Sequence, residues 1–193
     1  RAGDVLLVLV SGGASALLPA PVAGISLADK IAVNRALLVS GADIAQMNLV
    51  RQSLSRIKGG GLAAAAAPAR VVALILSDVI GDDLRCIASG PTTAPLGTPT
   101  EAAALLRGLG IWNDLPEAVR AYLGANPRSR AAPEGVDNRL IGSNAISVAA
   151  MAEAVGEGAQ CYPRPLQGDV AQAAEAVLAA MPESGQTLVF GGE

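Results

Sequence analysis

Residues 71–83 read VVALILSDVIGDD, a run of apolar residues that opens directly into a polar turn. A short β-rich run bounded by turn residues is typical of a buried strand in a parallel sheet. Ligands of open α/β sheets bind just beyond the carboxyl ends of such strands. Asp78, Asp82 and Asp83 would lie at that edge, where carboxylates suit a metal ion or a polar substrate. In the alternative interpretation, these aspartates only cap the helix that follows the strand.

Strand-like runs alternate with helical patterns along the chain. The strands are predicted at 4–10, 71–77, 138–142 and 187–190, with a weaker one near 160–166 that contains two prolines. Predicted helices begin at the capping residues Ser26, Asp43, Thr98, Asp114, Asn144 and Asp169, and end near Leu38, Ile57, Gly110, Gly124, Val155 and Met181. A further alanine-rich helical turn spans 62–67. This alternation predicts a Rossmann-like α/β fold, with a mostly parallel sheet and helices on both faces.

The composition excludes several classes of function. Aromatic residues make up 2% of the chain, the net charge is −3, and no basic run occurs. A nucleic-acid footprint is therefore not expected, because stacking platforms and basic patches carry such binding. No membrane association is expected either, since the low-charge stretch 62–76 contains Pro68 and Arg70 and is too short to span a bilayer.

Histidine is absent from the sequence. A Ser-His-Asp triad, a histidine-ligated zinc ion and a histidine general base are therefore excluded within these residues. Cys86 and Cys161 lie far apart with no metal-site spacing. They are interpreted as ordinary reduced thiols, which predicts a cytoplasmic protein.

The first predicted strand runs into a glycine- and serine-rich turn. Glycines after a strand let backbone N–H groups approach an anion, and serines add hydroxyl donors. The turn residues that could do this are Ser11, Gly12, Gly13 and Ser15. The stretch is neither a P-loop nor a dinucleotide fingerprint, because the Gly-Lys-Ser/Thr ending and the Gly-x-Gly-x-x-Gly pattern are both missing. A plain tight turn is the alternative.

Two cations accompany this turn in residues 48–62. Arg51 lies on a different helical face from the apolar Val50 and Leu54, and Lys58 precedes three glycines. A cation beside a flexible turn could meet a phosphate or a carboxylate. Alternatively, Lys58 is simply a lysine at a helix C-terminus that ends in glycine.

Two more strand ends carry small polar residues. Ser143 and Asn144 follow the third strand, where at least one of them is expected to cap a helix, and 191–193 (GGE) follows the last strand. Because parallel strands present their carboxyl ends at one edge, these loops are expected to lie close together. Their chemistry suits binding of a polyanion with carboxylate-held Mg²⁺, as in phosphoryl transfer.

With these motifs the chain resembles the glycerate 2-kinase family, whose members are often labelled hydroxypyruvate reductase. The segments that carry the resemblance are SGGASALLPAP (11–21), LSRIKGG (54–60), SDVIGDD (77–83), IASGPT (87–92), IGSN (141–144) and GGE (191–193). The resemblance implies transfer of the γ-phosphoryl group of ATP to the 2-hydroxyl of D-glycerate with Mg²⁺. It also implies that 1–193 is part of a large α/β domain, with its upstream start and a smaller C-terminal domain outside these residues. Such a piece alone is expected to be inactive.

The resemblance also implies roles for individual residues. Asp78 and Lys58 would be catalytic, and Asp78, Asp82 and Asp83 would hold Mg²⁺. Anionic groups of the nucleotide or substrate would be bound by Ser11, Gly12, Gly13, Ser15, Ser89, Gly90 and Thr92. The substrate would contact Arg51, Asn144 and Glu193. A homodimer is a further expectation.

The chain departs from the family pattern at several positions. Relatives usually have Gly at Ala14, Arg at Gly61, a Lys-His pair at Gln52-Ser53 and Pro at Ile80. The missing cation at Gly61 puts one phosphate or carboxylate contact in doubt. Two alternatives therefore stay open: an NAD(P)H-dependent hydroxypyruvate reductase, and a non-catalytic binding domain on the same scaffold. The absent dinucleotide fingerprint and the absent histidine count against the reductase.

Overall fold

The computed structural model describes residues 1–181 and 186–192, so Glu193 lies outside the described residues. The strands are β1 (Val5–Ser11), β2 (Arg70–Leu76), β3 (Val136–Gly142), β4 (Ala159–Cys161) and β5 (Thr187–Val189). The helices are α1 (Ala14–Leu17), α2 (Leu27–Val39), α3 (Ile44–Ser53), α4 (Gly61–Ala66), α5 (Pro99–Gly108), α6 (Glu117–Gly124), α7 (Asn144–Val155) and α8 (Val170–Ala179). Short 3₁₀ turns span Ile87–Ser89 and Trp112–Asp114.

All pairing among these five strands is parallel, which confirms the predicted α/β class. The main sheet has the order β1-β2-β3, and β4 pairs with β5 in a separate two-stranded sheet. The register of β2 against β3 shifts between Ile75 and Leu76, directly before the polar turn that follows β2. Such an irregularity re-aims the residues next to it and is common beside binding sites.

The apolar residues form two cores. The larger core is built by α2, α3, α5 and α6 with the turns around them, and it includes Leu37, Val50, Leu106 and Val119, each fully buried. The smaller core packs β1 and β2 against the turn Ile87–Ser89. The polar turns after β1 and β2 lie where the helical layer meets the carboxyl edge of the sheet.

The opposite face of the main sheet is apolar and exposed. Val5, Leu7 and Leu9 share one face of β1 with Leu76 of β2, and each is at least half exposed. Leu9 has the largest exposed fraction of the four, 74%. This part of the sheet therefore has no covering layer within the described residues.

Helix capping follows the sequence closely. Ser26, Asp43 and Thr98 cap helices as predicted, and each forms a reciprocal capping box with the residue three positions later. Ser143 caps α7 by accepting a hydrogen bond from the backbone N–H of Ile146, so the capping role falls to Ser143 and Asn144 starts the helix. Asp169 caps α8 in the same manner.

Two predicted helix boundaries are wrong. The helix expected to run to Ile57 ends at Ser53, because the backbone N–H of Arg56 bonds to Ala20 and Ser55 forms an antiparallel bridge with Pro21. Tertiary pairing thus replaces the last helical turn. Asp114 does not cap α6: it belongs to a 3₁₀ turn, and α6 begins at Glu117 after Pro116 without a side-chain cap.

Within the described ranges, no helix has both the length and the apolar character needed to cross a membrane.

Candidate active site

Asp78 lies directly against the turn that follows β1. A Cβ atom built on Gly12 would lie 1.4 Å from Oδ2 and 1.7 Å from Cγ of Asp78, so position 12 accommodates only glycine here. At Gly13 the same construction meets nothing within 4 Å. The turns after β1 and β2 are therefore in close contact, as their shared sheet edge predicts.

The carboxylates after β2 do not cap a helix, because the next regular element is the 3₁₀ turn Ile87–Ser89 and its N-cap makes no side-chain bond. Asp82 has a positive φ of 55° in the tight turn. Asp83 accepts hydrogen bonds from Nε and Nη2 of Arg85, at 3.0 and 2.7 Å, and these bonds lower the pKa of the Asp83 carboxyl. The Asp83 carboxylate therefore forms an ion pair with Arg85.

Lys58 is buried, with 3% of its surface exposed, and its ammonium group is surrounded by neutral oxygens. Its Nζ donates to the Ser15 carbonyl at 2.7 Å, to Ser15 Oγ at 3.0 Å and to Ser89 Oγ at 3.3 Å. Ser89 in turn donates to Asn48 Oδ1 at 2.8 Å, and the two serine hydroxyls lie 2.8 Å apart. All three ammonium protons are therefore used within the protein.

Burial lowers the pKa of Lys58 to about 8, with the positive charges of Lys30 and Arg51 as further causes. Burial also lowers the pKa of Lys30, and Arg51 adds to that effect. Like charges near one another disfavour the protonated form of each. The three cations thus form a cluster, in which α2 carries Lys30, α3 carries Arg51 and the turn after α3 carries Lys58.

This cationic cluster lines a cavity of about 360 Å³ between α2, α3 and the turn after β1. Gly12, Gly13 and Ser15 contribute to its wall, and none of the described aspartates and glutamates does. A second cavity shares Gly12, Ser15 and Arg51 with the first and is also lined by Asp78. A third cavity shares Asp78 with the second and is lined by Ser143, Asn144 and Gly192. The edge of the sheet therefore carries a row of adjoining cavities, cationic at one end.

The turn 55–59 is held from outside by Arg130. The Arg130 guanidinium donates to the carbonyl oxygens of Lys58 and Gly59, and to those of Ser55 and Arg56 at 3.2 and 3.3 Å. A Cβ atom at Gly61 would lie 2.0 Å from the Arg56 carbonyl oxygen and 3.0 Å from Cζ of Arg130. Arg130 thus places a guanidinium beside Gly61, the position at which the family resemblance leads us to expect an arginine.

The segment 87–92 is largely structural. Ser89 and Ala88 adopt positive φ angles of 61° and 52°, and the Ser89 hydroxyl accepts a hydrogen bond from Lys58 Nζ at 3.3 Å. Such backbone conformations cost free energy and often occur at functional sites. Gly90 is enclosed, since a Cβ there would lie 2.4 Å from Thr93 Oγ1, and the buried Thr92 donates to Asn138 Oδ1 at 2.6 Å. The structure brings Ser89 to the candidate site but leaves Gly90 and Thr92 in internal contacts.

The remaining sequence-predicted residues lie at the edges of the site. The Asn144 amide donates to the Gly192 carbonyl at 3.0 Å and so links the end of β3 to the segment after β5. Ser11 is the exposed last residue of β1. The buried Gln52, at a position where the family resemblance leads us to expect lysine, donates to the carbonyls of Arg85 and Ser89 at 2.9 and 3.2 Å. That position is therefore a neutral, satisfied core contact here.

Sequence reasoning missed three residues of the site: Lys30, Asn48 and Arg130. Lys30 and Asn34 are four residues apart on α2, and Asn34 Oδ1 accepts a hydrogen bond from Arg51 Nε at 2.9 Å. Their spacing on one helical face beside the core residue Val33 was the available signal. No local sequence pattern indicates a role for Asn48 or Arg130, because their hydrogen-bond partners lie 38 and more residues away.

These residues could bind a magnesium ion only if a bound ligand supplied further oxygen atoms to its coordination sphere. In the part of the chain that the structure describes, no three acidic or cysteine side chains converge as a metal cage. Mg²⁺ is commonly held by one or two carboxylates together with substrate phosphates. Asp78, pressed against Gly12 and open to two of the cavities, has that position.

The geometry defines the class of protein: an α/β chain with a parallel sheet and a polar, cation-lined site at the carboxyl edge. A family model described as "Domain of unknown function (DUF4147)" matches residues 1–124. The chain therefore belongs to the DUF4147 family.

Several characterised or solved proteins are similar to it. Human glycerate kinase is 44% identical over 183 residues, which cover 90% of this chain and 34% of that protein. A protein of Agrobacterium vitis with a provisional hydroxypyruvate reductase name is 48% identical over 159 residues, covering 82% of this chain and 36% of that protein. The crystal structure of glycerate kinase from Thermotoga maritima superposes with a TM-score of 0.80 at 34% identity, covering 98% of this chain and 48% of that one. The chain thus spans about a third of these relatives and about half of the solved structure.

Proposed function

We propose that the chain is part of a glycerate kinase, which transfers the γ-phosphoryl group of ATP to the 2-hydroxyl of D-glycerate. The observation that carries the proposal is the contact of the Asp78 carboxylate with Gly12, beside a cavity lined by Lys30, Arg51 and Lys58. Catalysis of phosphoryl transfer consists almost entirely of positioning and charge stabilisation, which such a set of residues supplies. The similarity to glycerate kinases supports the same conclusion.

In this proposal the positively charged residues bind phosphate groups, and the negatively charged Asp78 binds the substrate hydroxyl. The cationic cavity attracts phosphate groups, and Ser15 with the backbone of Gly12 and Gly13 forms its wall toward the sheet. Asp78 accepts a hydrogen bond from the attacking hydroxyl of the substrate, which it orients toward the cationic end. Asp78 would also hold Mg²⁺, which supplies charge neutralisation at the phosphate oxygens when bound.

The finer assignments stay predictions. They are ATP and Mg²⁺ as cofactors, a role for Asp82, Asp83 and Glu193, a homodimer, the absence of nucleic-acid binding and a cytoplasmic location. We also propose that residues 1–193 form part of a large α/β domain, with a smaller C-terminal domain completing the enzyme. This chain covers 34% of human glycerate kinase and 48% of the solved glycerate kinase, so a large part of each lies outside the matched residues.

The test uses the intact protein with D-glycerate and Mg-ATP, and the position of the transferred phosphate is read by phosphorus NMR. Formation of 2-phosphoglycerate by the wild type, and a loss of about 10²-fold or more in kcat for Asp78→Asn, is the expected result. Asp114→Asn, an exposed carboxylate away from the site, is the matched control and retains the rate.

Two results would contradict the proposal. No phosphorylated product from the wild type would refute the kinase, and NADH oxidation by hydroxypyruvate would then establish the reductase. An unchanged kcat for Asp78→Asn would remove Asp78 from the mechanism.

A further inference from the structure

Lys30 is the unusual member of the cationic cavity. Its Nζ is fully buried and has no hydrogen-bond partner among the described residues. An ammonium group carries three donors, and burying a charged donor without a partner is costly. Lys58, its neighbour, has all three protons bound by serine oxygens. Lys30 is thus the ammonium with donors left over for a ligand.

Among the described residues, no aspartate or glutamate lines this cavity, and Asp78 lies beside it, against Gly12 and in the adjoining cavity that Arg51 also lines. Arg51 bonds to the neutral Asn34 amide oxygen, and Lys58 bonds to neutral oxygens. The ion pairs found in the described chain lie elsewhere, at Asp83–Arg85, Arg70–Asp137, Arg139–Asp137 and the N-terminus–Asp4. Three clustered cations raise one another's free energy when no described carboxylate forms an ion pair with them, and a bound anion relieves that cost.

We propose that Lys30, Arg51 and Lys58 form a subsite for a phosphate dianion, in which Lys30 makes the direct contact. Arg51 supplies the guanidinium group that suits phosphate oxygens, and Lys58 supplies charge from behind the serine hydroxyls. A single carboxylate, such as that of unphosphorylated glycerate, carries too little charge to balance the cluster. The phosphate group could belong to a nucleotide or to a phosphorylated acid.

The assignment of the ligand rests on the proposed kinase function, whereas the charge and geometry of the subsite do not. Isothermal titration of the intact protein with inorganic phosphate, ADP and 2-phosphoglycerate tests the existence of the subsite separately from the identity of its ligand. The variant Lys30→Met removes the ammonium group and keeps most of the apolar stem. Arg35→Met is the matched control, because it removes one exposed positive charge from the same helix.

The expected result is a loss of about ten-fold or more in affinity for each phosphate-bearing probe in Lys30→Met, the effect of one charge-assisted hydrogen bond. Affinities of Arg35→Met stay within about two-fold of wild type. The thermal midpoint of Lys30→Met without ligand stays the same or rises, because an unpartnered buried charge is lost. Phosphate raises that midpoint less in the variant than in the wild type.

The probes separate the sources of phosphate: tighter binding of ADP assigns the subsite to the nucleotide, and tighter binding of 2-phosphoglycerate assigns it to the phosphorylated acid. Equal affinity of wild type and Lys30→Met for all probes overturns the inference even if the enzyme makes 2-phosphoglycerate. Equal losses in Arg35→Met and Lys30→Met also overturn it, since they reduce the effect to net charge. Weakened phosphate binding in a protein without kinase activity supports the subsite and refutes only the kinase.

Discussion

At the scale of single residues, the site depends on two close contacts between segments that are distant in sequence. Neither contact is predictable from the identity of the side chains alone. Gly12 lets the Asp78 carboxylate lie against the backbone of the first turn, and Ser15 with Ser89 encloses the ammonium of Lys58. Both contacts join segments that are distant in sequence. Their consequences can be tested by changing one atom group at a time.

Adding one methyl group at Gly12 is expected to disable the site. The Cβ of Gly12→Ala would lie 1.4 Å from Asp78 Oδ2, so the carboxylate must move by an ångström or more. A displacement of that size costs about 10²-fold in rate when the moved group positions the reactants. Gly13→Ala is the control, since its Cβ meets nothing within 4 Å. Steady-state kinetics of the intact protein that show equal kcat for both variants would refute the role of this contact.

Anion affinity is expected to fall as the pH rises through about 8. Lys58 has a pKa lowered to about 8 by burial and by the charges of Lys30 and Arg51, so its charge is lost in that range. Sulfate is a suitable probe because it stays a dianion throughout. Sulfate titrations between pH 7 and 9 should show affinity that weakens with rising pH. The change of affinity per pH unit should be smaller in Lys58→Met. An identical slope in that variant would assign the titration to another group.

The same shift has a consequence for stability. The pKa of Lys58 in the folded protein is below its ordinary value of 10.5, so the unfolded chain binds more protons between about 8 and 10.5. The contribution of Lys58 to the free energy of unfolding therefore rises with pH across that window.

At the scale of elements, the turn between α3 and α4 is shaped by contacts from three directions. The backbone N–H groups of Gly59 and Gly60 bond to the carbonyls of Ser89 and Gly90, at 3.0 and 2.8 Å. Arg130 binds the carbonyl oxygens on the other side. On a third side, the N–H of Arg56 donates to the Ala20 carbonyl and Ser55 forms a bridge with Pro21, which ends α3 at Ser53, several residues before its apolar pattern ends. They also fix the direction from which Lys58 enters the site.

Loss of the Arg130 guanidinium should loosen this turn. Arg130→Met leaves carbonyl oxygens of the turn without their donor, which costs about 1–3 kcal/mol of unfolding free energy. Urea denaturation of the intact protein measures the change, and sulfate affinity should fall with it as Lys58 loses its fixed position. The exposed neighbour Arg128 gives the matched variant Arg128→Met, with a change of about 0.5 kcal/mol or less. Equal stability of the two variants would contradict the role given to Arg130.

At the scale of the whole molecule, two separate cores meet at the site. The helical core positions Lys30 and Arg51, and the sheet core positions Asp78 and Ser89. The site therefore depends on the packing of one layer on the other. The far face of the main sheet, with Val5, Leu7, Leu9 and Leu76 exposed, takes no part in it.

That exposed face should make residues 1–193 associate when expressed alone. Contiguous exposed apolar surface drives association, and Leu9 is its most exposed member. Sedimentation velocity is expected to show mass increasing with concentration, and Leu9→Lys should shift the chain toward monomer. Val170→Lys, which changes an exposed apolar residue on α8, should leave association unchanged. A monomer at all concentrations would refute the prediction.

Much of the local structure follows from local sequence signals. The strands, their polar turns and the capping boxes at Ser26, Asp43 and Thr98 are recognisable because periodicity and capping act over three or four residues. The glycerate kinase resemblance follows from short motifs of the same kind. The helix end at Ser53 and the role of Asp114 escape this reasoning, since tertiary contacts and a 3₁₀ turn override the local preference there.

The sequence by itself thus determined the α/β class, the position of the polar turns along the chain and the absence of histidine from residues 1–193. Only the tertiary structure decided that Asp78 lies against Gly12, and that Lys30, from a helix with no recognisable motif, joins Arg51 and Lys58. The physical reason is the separation in sequence between the residues that interact. Hydrogen bonds within a turn are specified by neighbouring residues, whereas the meeting of three like charges depends on how α2 and α3 pack above the sheet edge.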